Sequence, residues 1–403
     1  MAKKLSSVVG IDIGSQSIKV AEIKLQGRDP VVTALGVVAT PEGAVDHTGV
    51  YNSDAVAMAL KQVLGETGVT SGQAVVSIAG QTSVLVRTLD VPRMNPTELK
   101  EHMQWEINRN IPFAESTVVS DYQPLPDEDP TSPNMEVVMA IAPQSAVDTM
   151  ISCVKKAGRQ VAAIDVEPLA LARSIQMSYD DTLHGQTVCL IDMGARTTAI
   201  NIYKSGRLMM PRQIPIGGEM FTKAIADGLS VTTAEAEQIK VEKAWIPDSA
   251  ASAASTAGAT AAFQPYNPFS DEPAAAGDAG GATPADPGKT TSMPAPIAGD
   301  AETTKIYNAF SPVLEEFVAE IRRSIDYFKS RGGDVSHVEL CGGGTRLKGL
   351  AQYLHAVLGA ECDNYDSLRR LNLNMRKVAP GFAEEHSQEF AVAVGNGLHI
   401  LYD

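Results

Sequence analysis

Residues 10–24 read GIDIGSQSIKVAEIK, and residues 190–198 read LIDMGARTT. Each stretch ends an apolar strand with an aspartate and a glycine, turns through small and polar residues, and enters a second β-branched strand. The aspartates, Asp12 and Asp192, lie 180 residues apart. Because the same unit occurs twice at this separation, the sequence predicts an internally duplicated, two-lobed α/β fold.

Glycines in these turns are suited to binding phosphate. A phosphate needs backbone N–H donors at close range, and a residue without a Cβ lets the backbone approach. Gly14 and Gly194 provide such turns, and a third glycine run, Gly342–Gly344, follows the strand that ends near Cys341. Additional donors are the hydroxyls of Ser15, Ser17, Thr197 and Thr198. Each turn alone is also compatible with a simple tight hairpin.

Charged residues next to the turns indicate a nucleotide with a metal. Strand alternation places Lys19 on the same face as Ser15 and Ser17, so that its ammonium can reach a phosphate. Asp12 and Asp192 lie inside apolar strands, where a carboxylate is costly unless a positive charge compensates it. Magnesium, held through water, would compensate both carboxylates.

Composition limits the classes of function. The chain has 403 residues, a net charge of −15 and 44% hydrophobic residues, which predicts more than one domain and disfavours a nucleic-acid binder. The four cysteines are far apart in sequence and predict neither a disulfide framework nor a structural zinc site. No window is long and apolar enough for a transmembrane helix. We expect a cytoplasmic protein that meets the membrane only through a partner.

One segment differs from the rest of the chain. Of the 54 residues from Pro247 to Asp300, 40 are Ala, Pro, Gly, Ser or Thr. Such a composition does not bury enough apolar surface to offset chain entropy, so the sequence predicts a disordered insert. Its aromatic run, Tyr266–Phe269, is either a short docking motif or incidental.

The chain resembles the actin, hexokinase and chaperone ATPase superfamily and, within it, the PilM family of type IV pilus assembly proteins, which are relatives of FtsA. The segments that carry the resemblance are GIDIGSQSIKVAEIK (10–24), WEINRNIPF (105–113), IDVEPLALARSI (164–175), IPIGGEMFTKAIADGLSVTTAEAEQIK (214–240), EIRRSIDYF (320–328), CGGGTRLKGL (341–350) and FAVAVGNGL (390–398). The resemblance implies an actin-like fold made of duplicated ribonuclease H-like domains, with an extra subdomain in the first lobe.

The resemblance also implies domain bounds. The first lobe would cover residues 1–185, with the extra subdomain at about 84–160 and the C-terminal residues 385–403 returning to it. The second lobe would cover 186–384 and be interrupted by the insert at 247–302.

The resemblance assigns roles to individual residues in binding ATP and Mg²⁺. Asp12, Gly14, Ser15, Ser17 and Lys19 match the first phosphate loop, with Lys19 on the β- and γ-phosphates. The second phosphate loop matches Gly194, Thr197, Thr198 and Asp192, and the metal is assigned to Asp12 and Asp192. The remaining matches are to the ribose, adenine and adenosine-loop positions, namely Gly217, Gly218, Glu237, Lys240, Gly342, Gly343, Gly344 and Arg346.

Hydrolysis is less well supported than binding. Glu167 falls where relatives place the residue that orients the attacking water, although an acidic residue is also favoured at a helix start for electrostatic reasons. Ala195 and Arg196 stand where many relatives have Gly or Asp followed by Gly. We therefore expect ATP binding with weak or partner-dependent hydrolysis.

Three functions remain open at this stage. The first is a pilus assembly protein, or one of a related secretion system. Nucleotide would switch the conformation of such a protein. The protein would bind the N-terminal cytoplasmic tail of a PilN-like bitopic inner-membrane protein and other pilus assembly proteins, and self-association is an open alternative. The second is an FtsA-like divisome protein, against which the end of the chain, GNGLHILYD, counts because it has no amphipathic membrane helix. The third is a sugar-kinase-type phosphotransferase, for which no catalytic aspartate is evident.

Overall fold

The structure is a computed structural model that describes residues 5–78, 83–113, 117–126, 131–248, 250 and 301–401. Most of the predicted insert, and with it the aromatic run Tyr266–Phe269, lies outside the described residues. The architecture consists of two large sheets, each with helices, and a smaller third sheet.

A six-stranded mixed sheet carries the first glycine turn. Strand β1 lies near its centre, antiparallel to β2 and parallel to β4. In sheet order the strands are β14 (Asn372–Leu373), β3 (Asp29–Ala39), β2 (Ser17–Gln26), β1 (Ser7–Ile13), β4 (Gln73–Ile78) and β8 (Gln160–Val166).

A five-stranded sheet carries the second glycine turn. It repeats the order and strand directions of the first sheet, with β9 in the place of β1. In sheet order its strands are β11 (Arg207–Ile214), β10 (Thr198–Lys204), β9 (Thr187–Met193), β12 (His337–Cys341) and β13 (Glu361–Asn364). The repeated topology confirms the predicted duplication.

Both faces of the first sheet are covered by helices. Helices α1 (Ser53–Glu66) and α3 (Gln144–Lys156) pack on one face. Helix α10 (Ala391–Gly397), near the C-terminal end, packs on the other. A Cβ on Gly10 of β1 would lie 2.0 Å from the carbonyl oxygen of Ala393, so this glycine allows the close approach of strand and helix.

Helix α4 (Glu167–Leu183) joins the two halves. Its residues Leu171 and Ile175 share an apolar cluster with Leu190 and Tyr203 of the second sheet. Because α4 follows β8 of the first sheet directly, its first residue, Glu167, lies between the two sheets.

The second sheet is covered mainly by four helices. They are α5 (Gly218–Leu229), α6 (Thr233–Glu242), α7 (Ala301–Ser330) and α8 (Leu350–Leu358). Helix α6 begins with a capping box formed by Thr232 and Glu235, and it ends at Glu242, before Trp245. The apolar residues of α7 recur every three or four positions and form a buried stripe, which includes Ile306, Phe310, Leu314, Phe317 and Ile321.

A three-stranded sheet with helix α2 (Pro96–Arg109) forms a separate layer. Its strands, in sheet order, are β5 (Leu85–Pro92), β7 (Asn134–Pro143) and β6 (Val118–Pro124). Asn95 and Glu98 form a capping box at the start of α2. The helix packs Leu99, Met103 and Ile107 onto this sheet.

Short elements complete the described chain. They are α9 (Phe382–His386) and the 3₁₀ turns Gly343–Arg346, Ser387–Phe390 and Leu398–Leu401.

Candidate nucleotide site

The two glycine turns face each other across a cavity of about 500 Å³ between the two large sheets. Each turn is closed by the same bond: the N–H of Gly14 donates to the Ser17 carbonyl at 3.1 Å, and that of Gly194 donates to the Thr197 carbonyl at 2.9 Å. Equal closure follows from the equal spacing of glycine and hydroxyl residue in the two turns. The cavity therefore has two matched walls.

The first wall carries its own counterion. Asp12 of β1 and Lys19 of β2 are directly opposite in the antiparallel pair, and the Lys19 Nζ lies 3.0 Å from Asp12 Oδ2. Burial lowers the pKa of Lys19, but Asp12, Asp192 and Glu389 more than offset this effect and raise the pKa above its ordinary value. Lys19 is thus a fixed positive charge in the cavity.

In the second wall, Asp192 has no basic residue opposite it in its strand pair. The residue opposite Asp192 in the β9–β10 pair is Ala199. Burial, followed by the nearby Asp12 carboxylate, raises the pKa of Asp192 to about 6. Burial, Asp192 and Asp12 also raise the pKa of Glu167 well above its usual range, and the two carboxyl groups share a hydrogen bond. The second wall therefore concentrates negative charge that one lysine does not balance.

The third glycine run closes against these carboxylates. Gly342 has φ +84°, and a Cβ there would lie 2.3 Å from Asp192 Oδ1. A side chain at Gly342 would therefore be strained by its backbone conformation and would collide with Asp192. A Cβ on Gly217 would similarly lie 2.5 Å from the Ala195 carbonyl oxygen. These two glycines allow the loops to pack tightly around the cavity.

Helices α5 and α6 form the outer side of the cavity. Lys240 Nζ donates to the Gly218 carbonyl at 3.1 Å, to Thr222 Oγ1 at 2.8 Å and to Glu237 Oε2 at 2.7 Å. Thr222 Oγ1 also donates to Glu237 Oε2 at 2.5 Å. The Lys240–Glu237 pair is therefore held by α5 as well as by α6.

Two arginines connect parts of the cavity rim. Arg196 Nε donates to both carboxylate oxygens of Glu219, at 3.1 and 3.0 Å, and Gln16 Nε2 donates to Glu219 Oε1 at 3.1 Å. Arg346 Nη1 donates to Glu389 Oε1 at 2.8 Å. The two contacts of Glu219, with Arg196 and with Gln16, join the turns of both large sheets to the start of α5.

Most of the residues predicted for the site line this one cavity. Thr198 and Gly217 do not: the Thr198 hydroxyl is buried and donates to the Ile216 carbonyl at 2.6 Å, and Gly217 packs on Ala195. The predicted residues that line the cavity are Asp12, Gly14, Ser15, Ser17, Lys19, Glu167, Asp192, Gly194, Thr197, Gly218, Glu237, Lys240, Gly342, Gly343, Gly344 and Arg346.

Other residues of the cavity were not predicted as site residues from the sequence. Gln16, Glu219, Gln388 and Glu389 all line it. The side-chain amide nitrogen of Gln388, Nε2, is buried and has no hydrogen-bond partner among the described residues. For Gln16 a signal did exist, since it has the same place in the first turn as Arg196 has in the second. Glu219 and the C-terminal residues reach the cavity only through the tertiary fold.

A second cavity, of about 550 Å³, lies between the β5 edge of the small sheet and the β11 edge of the second large sheet. Thr88 Oγ1 of β5 donates to the Met209 carbonyl of β11 at 2.8 Å, which joins the two edges at one point. Asn201 lines this cavity and is 1% exposed, and its Nδ2 has no hydrogen-bond partner among the described residues. Glu167 lines both cavities.

The described part of the chain contains neither a cluster of metal-ligating side chains nor a membrane-spanning helix. No group of three or more His, Cys, Asp or Glu side chains in the described part is arranged to hold a metal ion. Among the same residues, no helix combines the length and apolar character needed to cross a bilayer.

Comparison with solved structures defines the fold class. The PilM-PilN type IV pilus biogenesis complex matches with a TM-score of 0.76 at 24% identity, over 99% of each chain. The ethanolamine utilization protein EutJ from Carboxydothermus hydrogenoformans matches with a TM-score of 0.51 at 14% identity, over 98% of this chain and 91% of that one. The chain has the two-lobed, actin-like α/β fold, as the sequence predicted.

Family models place the chain more narrowly. The model described as type IV pilus assembly protein PilM matches residues 10–253, and the model of cell division protein FtsA matches residues 189–395. The chain belongs to the PilM family of type IV pilus assembly proteins.

Curated relatives include FtsA proteins, in agreement with the match to the FtsA family model. Cell division protein FtsA of Bacillus subtilis is 27% identical over 255 residues, which are 58% of this chain and 57% of that protein. FtsA of Pseudomonas aeruginosa is 27% identical over 262 residues, 59% of this chain and 61% of that protein. The chain thus spans about three-fifths of the length of these relatives.

Proposed function

We propose that this chain is an ATP-binding pilus assembly protein that binds nucleotide in the cavity between its lobes and a membrane-protein tail next to its small sheet. The observation that carries the nucleotide proposal is the convergence of two matched glycine turns, Lys19 and the Gly342–Gly344 run on one cavity. Phosphate binding requires such backbone donors beside a positive charge.

Each wall has a separate part in binding. The turn at Gly14–Ser17 and Lys19 would hold the β- and γ-phosphates, and the turn at Gly194–Thr197 would face them from the second lobe. Base and ribose would lie toward Lys240, Glu237 and the Gly342–Gly344 run, where Gln388 Nε2 is a buried donor that lacks a partner among the described residues.

The carboxylates of the second wall fit a magnesium ion that accompanies the nucleotide. Asp192 lies in the cavity opposite Ala199, with no cationic cross-strand partner, and its pKa is raised to about 6. A divalent cation would favour its ionised form. Mg²⁺ commonly keeps several waters and uses one or two protein carboxylates together with substrate phosphates, so a cluster of three ligands is not required. Asp192, with Asp12 beyond it, would hold the ion, which would screen the phosphate charge.

Hydrolysis is proposed to be weak in the isolated protein. Burial and the nearby Asp192 and Asp12 raise the pKa of Glu167 well above its usual range, which favours the protonated form, and that form does not accept a proton from water. A partner or metal that restores its charge would increase turnover. Turnover that is rapid in the isolated protein and unchanged in Glu167→Gln would contradict both parts of this proposal.

The second cavity is the proposed site of the partner tail. Strands β5 and β11 are both edge strands, and their outer edges carry backbone groups that an extended peptide can pair with. The matched solved structure is a complex of PilM with PilN, and we propose that the cytoplasmic N-terminal tail of a PilN-like bitopic inner-membrane protein binds here. Because Glu167 lines both cavities, tail and nucleotide would influence each other through it.

Calorimetric titration tests the nucleotide proposal. Mg²⁺-ATP should bind the wild-type protein, and chelation of the metal should weaken binding. ATP affinities that are the same in wild type, Lys19→Ala and Asp192→Ala would refute the assignment of this cavity.

A tail peptide tests the partner proposal separately. Asn201→Leu removes a buried amide that has no hydrogen-bond partner for its Nδ2, so it should leave folding intact and weaken binding of the PilN-like tail by about two- to tenfold. Asn308→Leu, at an exposed position of α7, is the matched control. Equal tail affinity in the two variants would exclude this groove. Binding of a divisome-protein peptide in place of the pilus tail would favour the FtsA-like alternative.

A further inference from the structure

The contact between Arg196 and Glu219 lies at the mouth of the nucleotide cavity. Arg196 is in the second glycine turn, and Glu219 is in the first turn of α5. Their side chains are 37% and 39% exposed. Ion pairs this exposed are weak, because water screens the charges and competes for their hydrogen bonds. The pair is therefore readily exchanged for a stronger one.

Glu219 accepts hydrogen bonds from one residue of each glycine turn. Gln16 and Arg196 occupy the same place in the two duplicated units, two residues after Gly14 and Gly194, and both donate to Glu219. Since Gln16 belongs to the first lobe and Glu219 to the second, this carboxylate also connects the lobes. We refer to Gln16, Arg196 and Glu219 as the rim triad.

The backbone holds Arg196 at a fixed place beside the cavity. The N–H of Glu219 donates to the Ala195 carbonyl at 2.8 Å, and the N–H of Gly218 donates to the Gly194 carbonyl at 3.0 Å. The start of α5 thereby anchors the turn while the guanidinium extends from it. Arg196 and Glu219 both line the cavity, so the guanidinium that bonds Glu219 also borders the space in which nucleotide phosphates would lie.

We infer that the rim triad makes the site selective for a nucleoside triphosphate over a diphosphate. Without nucleotide, Glu219 holds the Arg196 guanidinium at the rim. A terminal phosphate, which carries more negative charge than one carboxylate, takes the guanidinium over, while Gln16 keeps its bond to Glu219. A diphosphate ends one phosphoryl group short of the rim and leaves the Arg196–Glu219 pair intact. This inference rests on the proposed nucleotide function and adds its specificity.

The test is calorimetric measurement of ATP and ADP affinity, each with Mg²⁺, in four proteins: wild type, Arg196→Ala, Glu219→Gln and the double variant. Arg196→Ala should weaken ATP by roughly tenfold or more, as expected for a lost charge-assisted bond, and ADP by less than about twofold. Glu219→Gln should strengthen ATP by about threefold, because the competitor for Arg196 is weakened. In the Arg196→Ala background, Glu219→Gln should have no effect on ATP.

A control variant and the wild-type result distinguish failure of triphosphate selectivity from failure of nucleotide binding. Arg323→Ala removes another exposed arginine of α7, which pairs with Glu320. Neither of these residues lines the nucleotide cavity, so the variant should leave both affinities unchanged. Equal losses of ATP and ADP affinity in Arg196→Ala, or an effect of Glu219→Gln that persists without Arg196, would overturn the rim triad as a selectivity device. Failure of the wild-type protein to bind either nucleotide would instead refute the nucleotide function itself.

Discussion

The two duplicated turns have nearly the same backbone but different electrostatics. In the first lobe, Asp12 faces Lys19 across the antiparallel pair and the Nζ–Oδ2 distance is 3.0 Å. In the second lobe, Asp192 faces Ala199 and its pKa is raised to about 6. The two duplicated units thus have equivalent aspartates. The residue opposite each aspartate, Lys19 in one unit and Ala199 in the other, decides whether the carboxylate has a cationic cross-strand partner. The first half provides a fixed cation, and the second half creates a demand for one.

Removal of Lys19 is expected to have the largest effect on this asymmetry. Lys19→Ala leaves Asp12 without its counterion and deletes a charge-assisted contact to phosphate, which is worth about 1.5–3 kcal/mol. ATP affinity should fall by about tenfold to hundredfold. Calorimetry with Mg²⁺-ATP measures the change, and Lys329→Ala, at the exposed end of α7, serves as the control. A loss below twofold would show that the first wall does not bind the phosphates.

The next largest effect concerns Asp192. Neutralising this residue should increase the stability of the nucleotide-free protein, whereas removing Lys19 should lower ATP affinity. The pKa of Asp192 rises from 3.8 in the unfolded chain to about 6 in the folded protein. Between these pH values the folded protein keeps a proton that the unfolded chain has lost, so the free energy of unfolding falls as pH increases from about 4 to 6. Asp192→Asn should remove this penalty and stabilise the nucleotide-free protein at pH 7–8 by about 1–2 kcal/mol.

Denaturant unfolding at pH 4 and pH 7.5 provides the measurement. The variant and the wild-type protein should be similar in stability at the lower pH and differ at the higher one. Asp326→Asn, at an exposed position of α7, is the matched control and should show no such pH-dependent gain. A destabilised Asp192→Asn at pH 7.5 would mean that the second wall is not electrostatically strained. The same variant should lose the magnesium dependence of nucleotide binding.

Local sequence was sufficient to predict the turns. The Asp-x-Gly pattern and the strand alternation that places Lys19 beside Ser15 and Ser17 both depend on neighbours within a few residues. The two-lobed, duplicated α/β fold followed from the repeat of one unit, and the family resemblance implied its actin-like class. The turn features are determined by residues next to one another in the sequence, so they can be predicted without knowledge of tertiary contacts.

Tertiary convergence explains what the sequence did not predict. Glu219 lies 23 residues after Arg196, on another element, and its role at the rim depends on how α5 packs on the turn. Gln388 and Glu389 line the nucleotide cavity although they lie near the C-terminal end of the sequence. Strand β11 carries Pro211, which argues against a central strand. The proline is tolerated because β11 is an edge strand, which among the described strands pairs with β10 alone.

The smallest expected effect concerns the one hydroxyl that the turns do not share. Ser15 of the first turn corresponds to Ala195 of the second, and both line the cavity. Ala195→Ser restores the missing donor, and because a neutral hydrogen bond contributes about 0.5–1.5 kcal/mol, ATP affinity should rise by about two- to tenfold. Ser15→Ala should lower it by a similar factor, and the double exchange should return it near the wild-type value if the two walls contact the phosphates equivalently. A double variant that remains as weak as Ser15→Ala would show that only the first turn binds phosphate through its hydroxyl. The asymmetry between the walls would then extend from their charges to their hydrogen-bond donors.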